Sequence, residues 1–225
     1  MKIQNYIIFS FLLFSSCGKN PANNSTDNDI QTYTNLYNTV KKKNDLWQVS
    51  AKFHGDKCNE LSFYFEDLYN GFPKDADKIV SNFEYLNKVE INCRMPDLPM
   101  INNSNIRELI LSGGVEALNF NSGNQYLKNI DRLLISNHGF PVQVISIAPE
   151  NKLRKLAIVD AQIENIDTLT ENIEHIESLN LAKNKIQRVH RLPFKEGTIV
   201  DLRLNPLEDT ISIKALNPGL IFIFN

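Results

Sequence analysis

The sequence predicts an α/β solenoid, a right-handed superhelix of short coils with a parallel sheet on the concave side and short helical or 3-10 turns on the convex side. Three observations predict it. In residues 176–186, IESLNLAKNKI, the apolar residues Ile176, Leu179, Leu181 and Ile186 fit neither a helical stripe nor a strand alternation throughout. The two-residue step from Leu179 to Leu181 is strand geometry, and the three-residue steps on either side suit a tight or short helical turn, so both belong to one coil. The phrase then returns upstream, as Leu153, Leu156, Ile158, Ile163, Ile166 and Leu169, as Leu127, Ile130, Leu133 and Ile135, and as Ile106, Leu109 and Leu111. Finally, Val89, Leu109, Leu133, Leu156, Leu179 and Val200 follow one another at intervals of 20 to 24 residues, a period that marks a repeat array.

A single coil cannot shield its inward Leu and Ile from water, so coils must stack, with their strands pairing in parallel at about 4.8 Å. The chain has the material for this: 225 residues, 42% of them hydrophobic. Its formal charge of -2, from 24 basic and 26 acidic side chains, provides no broad basic field and argues against a nucleic-acid partner.

Taken in order, the chain opens with MKIQNYIIFSFLLFSSCGKN: one cation at Lys2, an apolar run over residues 6–14, then Ser15 and Ser16 before Cys17. The run falls short of the about 20 apolar residues that span a bilayer and reads as an export signal over residues 1–16. Its ending resembles the lipobox of bacterial lipoproteins, with Phe14 at the place where Leu is usual. That resemblance implies cleavage before Cys17 and acylation of its thiol, with a palmitate-type chain beside a diacylglyceryl group, since one acyl chain alone anchors only marginally. It implies a bacterial cell-envelope protein lipid-anchored in a membrane. Gly18, in place of the Asp that retains many such proteins at the inner membrane, favours the outer one.

Residues 17–44 are rich in Asn, Ser, Thr and Asp and read as a flexible tether that ends in Lys41, Lys42 and Lys43. Residues 45–82, with Trp47, LSFYFEDLYNGF and DADKIVSNF, carry no repeat phase and read as an amino-terminal cap with a strand and a helix. Cys58 and Cys93 remain once Cys17 is assigned to lipid. An exported compartment permits a disulfide between them, and two separate buried thiols are the alternative. Residues 83–225 hold the repeats and finish on NPGLIFIFN, a last strand that lacks a polar cap. Either Phe222 and Phe224 pack beneath the preceding coil, or the edge is open to self-association.

With LxxLxLxxNxI most complete in residues 176–186, the array resembles the leucine-rich repeat proteins. Its continuation through Val189 and Leu192 is similar to the short-repeat class of bacterial internalins. The resemblance implies a leucine-rich repeat horseshoe that works as a non-enzymatic protein-binding module, with a host or envelope protein as ligand. Asn184 and Asn205 stand where the chain leaves the strand, where a buried amide can bond the backbone of adjacent turns. Arg94, Gly114, His138 and Ala161 occupy the matching positions of the other coils, which predicts an incomplete amide ladder there.

Catalytic and metal motifs are not found. His54, His138, His175 and His190 have no metal-ligand spacing, and no nucleophile elbow, phosphate loop or dinucleotide glycine motif is present, so neither a metal nor a cofactor is expected. Glu164, Asp167, Glu171, Glu174 and Glu177 line successive convex turns, whereas a hydrolase of envelope polymers would need two carboxylates facing across a cleft. The strand alternation instead puts Glu108 and Ile110, Arg132 and Leu134, Lys155, Ala157 and Val159, Asn180, and Asp201 and Arg203 on the concave face. The apolar column of Ile110, Leu134 and Ala157, with its charged rim, is the predicted protein-binding surface.

Overall fold

The structure, a computed structural model, describes residues 28–43, 47–65, 74–95, 101, 103–119, 129–142, 144–147, 151–166, 169 and 172–225. Its elements, in chain order, are α1 (Asn28–Lys43), β1 (Trp47–His54), β2 (Lys57–Phe65), α2 (Lys74–Val80), β3 (Lys88–Asn92), β4 (Glu108–Ser112) and β5 (Ala117–Asn119). There follow β6 (Arg132–Ser136), β7 (Val144–Ser146), β8 (Lys155–Val159), β9 (Ser178–Asn180), β10 (Ile199–Asp201), α3 (Thr210–Leu216) and β11 (Ile221–Ile223). Nine strands form one sheet in the order β1-β2-β3-β4-β6-β8-β9-β10-β11. Only the β1–β2 pair in it is antiparallel; from β2 onward each coil adds one strand parallel to the last.

The period seen in the sequence is the register of this sheet. Val89, Leu109, Leu133, Leu156, Leu179 and Val200 face one another rung by rung, and Leu61 of β2 and Phe222 of β11 extend the column at its two ends. The six repeat residues and Leu61 are at most 2% exposed. Each such side chain is worth about 1.5–3 kcal/mol on burial, the term that offsets the ordering of its coil. A second inward column, Phe63, Ile91, Leu111, Ile135 and Ile158, runs beside the first. Strands that read apolar-polar-apolar, returned every 20 to 24 residues, make a parallel-strand β-solenoid.

Residues 28–43 correct the expectation of a tether to residue 44. They form α1, whose Asp29, Thr32, Leu36 and Val40 are buried at the three- and four-residue spacing of one helical face. Asp29 accepts the backbone N–H groups of Cys58 at 2.9 Å and of Glu84 at 3.3 Å, and the Tyr33 hydroxyl donates to the Val49 carbonyl at 3.1 Å. Two aliphatic side chains and several paired polar ones dock this helix on the hairpin, so its composition looked like that of a linker. The cap is therefore a helix, a hairpin and α2, and it is continuous with the array through β2.

On the convex side the described residues include helices α2 and α3 at the two ends and 3-10 residues at Asn129 and Leu169, as expected, and β5 and β7 add a small second parallel sheet. Successive returns that run alongside each other can satisfy their backbone groups across the gap as well as within a turn.

Cys58 and Cys93 are free thiols, both buried, which settles the alternatives against a bridge. The register gives the reason: Leu61 lies opposite Val89, so Cys58 is level with Leu86, and Cys93 comes seven positions further along. At about 3.3 Å per residue the two are roughly 23 Å apart, far beyond the about 7 Å that a disulfide can span.

The amide ladder reaches further than expected. Asn184 accepts the N–H groups of Ala161 and Ile163 and donates to the carbonyl of Ile158, and Asn205 does the same for Ile186 and Leu181. In the β6 coil the amide comes from Asn137, one residue before the His138 slot, and it is fully buried. The left-handed residue exchanges places with it: Asp160, Lys183 and Leu204 come just before the slot in the later coils, but here His138, in the slot itself, has the positive φ, at 49°. In the β4 coil the corresponding bend is Gly113, φ 102°, where a Cβ would stand 2.8 Å from the backbone carbon of Cys93.

Candidate binding surface

Alternate residues of each strand point away from the core, and the register aligns them in rows across the sheet. The first row runs Lys52, Glu60, Lys88, Glu108, Arg132, Lys155, Ser178, Ile199 and Ile221. Its amino-terminal part alternates in sign and pairs internally. Glu60 lies 2.8 Å from Lys52 and 3.5 Å from Lys88, and Arg132 lies 3.4 Å from Glu108. The Lys52 ammonium, hydrogen-bonded to Glu60, holds that carboxyl below its ordinary range. At Lys155 the alternation fails: its neighbour Arg132 is also a cation, and the next two positions are Ser178 and Ile199. Lys155 is exposed; the Asp131 carboxyl, hydrogen-bonded by Arg154, is held below its ordinary range with help from the charges of Arg132 and Lys155.

The second row runs Ser62, Glu90, Ile110, Leu134, Ala157, Asn180, Asp201 and Ile223, and the third includes Asn92, Ser112, Ser136 and Val159. Glu108, Ile110, Arg132, Leu134, Lys155, Ala157 and Val159 thus share one face of adjacent strands, as the spacing predicts. Ile110, Ala157 and Val159 are half-buried among their neighbours, and Leu134 is 36% exposed.

The carboxyl-terminal part of the predicted site is built differently. Asp201 is only 6% exposed and serves its own turn: it accepts the Arg203 N–H at 3.1 Å and holds the guanidinium at 2.6 Å through Nη2. The Asn180 Oδ1 likewise accepts the Ala182 N–H at 2.9 Å. These two side chains shape the strand exits, and Arg203, though exposed, is tied to Asp201. The residues that sequence reasoning left out of the site are Ile199, Ile221 and Ile223, which are 39%, 52% and 38% exposed. Alternation from Val200 already pointed Ile199 outward; Ile221 and Ile223 required the pairing of β11 with β10.

Among the described residues no group of three His, Cys, Asp or Glu side chains is placed to hold a metal ion, and no helix is long and apolar enough to cross a membrane. A groove of about 320 Å³ between later coils is lined, among the described residues, by Glu164, Lys185, Gln187 and Pro206. Asp167 and Glu171 lie outside the described residues, as does Cys17.

No family model matches this chain, and no curated protein matches it. Among solved structures, internalin C2 from Listeria monocytogenes is similar, with 21% sequence identity and a TM-score of 0.43, over 84% of this chain and 92% of that chain. The solenoid assignment rests on the strand register and the amide ladder described above.

Proposed function

We propose that this chain is a non-catalytic protein-binding module of the bacterial envelope, which receives its partner on the solvent face of the solenoid sheet. The observation that carries the reading is the break in the charge alternation at Lys155. On one side of it the cations and carboxylates satisfy each other; Lys155 itself stands beside Leu134 and Ala157, and beyond the polar pair Ser178 and Asn180 lie exposed Ile199, Ile221 and Ile223. Two apolar patches with a charged rim, fixed on a hydrogen-bonded sheet, give a partner area to bury at little ordering cost. A partner carrying an acidic group opposite Lys155 and apolar side chains on either side fits it.

The module is held to the membrane by a lipid on Cys17 and faces the envelope from the outer membrane. This part of the reading is supported by the export signal, the small residues before Cys17 and Gly18 after it. Mass spectrometry of the chain from membranes tests it, with an acylated Cys17 as the new amino terminus expected. A mature chain that starts elsewhere, or stays in the soluble fraction, defeats it.

Leu134→Asp and Lys155→Glu test the binding face. Affinity capture from envelope or host-surface extracts, run with wild type and both variants in parallel, is expected to show one protein retained by wild type and lost from each variant at unchanged melting temperature. Retention by both variants would remove this face from the reading.

A further inference from the structure

The last strand offers an edge that complements itself. Hydrogen bonds run from the Ile221 N–H to the Thr198 carbonyl at 3.0 Å and from the Leu202 N–H to the Ile223 carbonyl at 2.9 Å. Ile221 and Ile223 therefore turn their backbone groups toward β10, and by strand alternation Phe222 turns its N–H and carbonyl to the other side, where the sheet order ends. Edges of this kind are ordinarily guarded by Lys, Pro or a bulge. Residues 220–224, LIFIF, contain neither a charge nor a proline.

The same five residues are symmetric about Phe222. If a second copy is laid antiparallel on β11 with the two-fold axis at Phe222, Phe222 meets Phe222, Ile221 meets Ile223, and Leu220 meets Phe224. Every cross-strand pair is then apolar. The Phe222 pair exchanges both of its outward backbone hydrogen bonds, which is the hydrogen-bonded register of an antiparallel ladder. Phe222 and Phe224, stacked with ring centroids 5.5 Å apart, are partly buried, with the Lys214 ammonium 5.4 Å from the Phe224 ring centroid. In this arrangement they gain the partner's phenyl rings on the inner side, and exposed Ile221 and Ile223 gain each other on the solvent side.

We infer that two copies of this chain associate end to end through an antiparallel, two-fold pairing of β11 with β11, so that the two sheets become one. The contact is isologous: one patch meets itself and the assembly closes at two chains. It places the two binding faces side by side across the axis, and it does not depend on what those faces hold.

The register gives a chemical test on full-length chains. Ile221 and the partner's Ile223 form a non-hydrogen-bonded pair, with Cα atoms about 4.5 Å apart, inside the range a disulfide accepts. Two copies of the same position are offset by two residues, about 8 Å, outside that range. Full chains carrying Ile221→Cys under one tag and Ile223→Cys under another, expressed together in the envelope, are expected to form a disulfide-linked pair containing both tags. Either variant expressed alone is expected to match the background of the unsubstituted chain. No mixed pair, or equal linkage in a single variant, overturns the register. Sedimentation in detergent reads the association independently: two chains per particle are expected for wild type and one for the Ile221→Lys, Ile223→Lys double variant. A wild-type chain that remains single at every concentration overturns the inference.

Discussion

Asn137 satisfies both backbone groups of Val115 in the neighbouring coil: its Oδ1 accepts the Val115 N–H at 3.0 Å and its Nδ2 donates to the Val115 carbonyl at 2.8 Å. The amide is fully buried, so no water can replace it. Removing it in Asn137→Ala leaves two buried groups without partners, at about 1–3 kcal/mol each. Asn137→Asp keeps the acceptor but sets a buried carboxylate oxygen against the Val115 and Phe140 carbonyls, so it is expected to cost at least as much as Asn137→Ala at neutral pH. His138→Asn, at the exposed neighbour whose slot the repeat pattern assigns to the ladder, is expected within about 0.5 kcal/mol of wild type. Urea denaturation of the three variants ranks them; a larger loss at His138 than at Asn137 would restore the sequence-derived ladder.

Leu36 distinguishes a docked helix from a tether. It is fully buried, as is Val40, on a helix that meets both the hairpin and α2. Truncating a buried Leu costs about 2–5 kcal/mol, transfer and cavity terms together. Leu36→Ala is therefore expected to lower the urea midpoint clearly, while Asn38→Ala, on the exposed side, leaves it in place. A midpoint indifferent to Leu36 would mean that α1 contributes nothing to the folded body.

The thiols of Cys58 and Cys93 make a third expectation. Burial pushes each up to about 12, so the reactive thiolate is scarce at neutral pH as well as hard to reach. Iodoacetamide is expected to label neither in the native chain and both after unfolding, as read by peptide mass spectrometry. Because the pair is unbridged, a reductant leaves the melting temperature unchanged. A drop in melting temperature on reduction would require a disulfide that the register forbids.

The repeat phase was legible because burial in a solenoid is written locally: Leu109, Leu133, Leu156 and Leu179 each sit in the middle of their own short strand, and all that stacking adds is their alignment. The outward alternation at Glu108, Arg132 and Lys155 followed for the same reason. What the sequence concealed depends on partners remote in the chain. Asp29 is buried because it caps backbone N–H groups of Cys58 and Glu84, and nothing in its neighbourhood of Asn and Thr announces that. Asn137 took the ladder position one residue early, with the left-handed conformation passing to His138, which counting from Leu133 could not detect. Asp201 looked like an available acid until Arg203, two residues on, proved to fold back on it.

That pair sets the last expectation. Asp201 lies below the ordinary carboxylate range because the Arg203 guanidinium hydrogen-bonds it, aided by the Arg203 N–H, against the opposing effect of burial. A carboxyl whose folded value is depressed adds stability above its unfolded value, about 3.9, and that contribution is lost as pH falls through the lower folded value. Arg203→Met removes the guanidinium and leaves a nearly buried carboxylate with its backbone bond alone. The difference in stability between wild type and this variant is thus expected to be constant from neutral pH down to about 5, and to shrink as pH drops below about 4. Arg203 is half in solvent, so the difference is expected to be modest and partly screened by salt. Urea unfolding along a pH series measures it. A gap that widens on acidification would reverse the sign and show that Asp201 is stabilised in its protonated form.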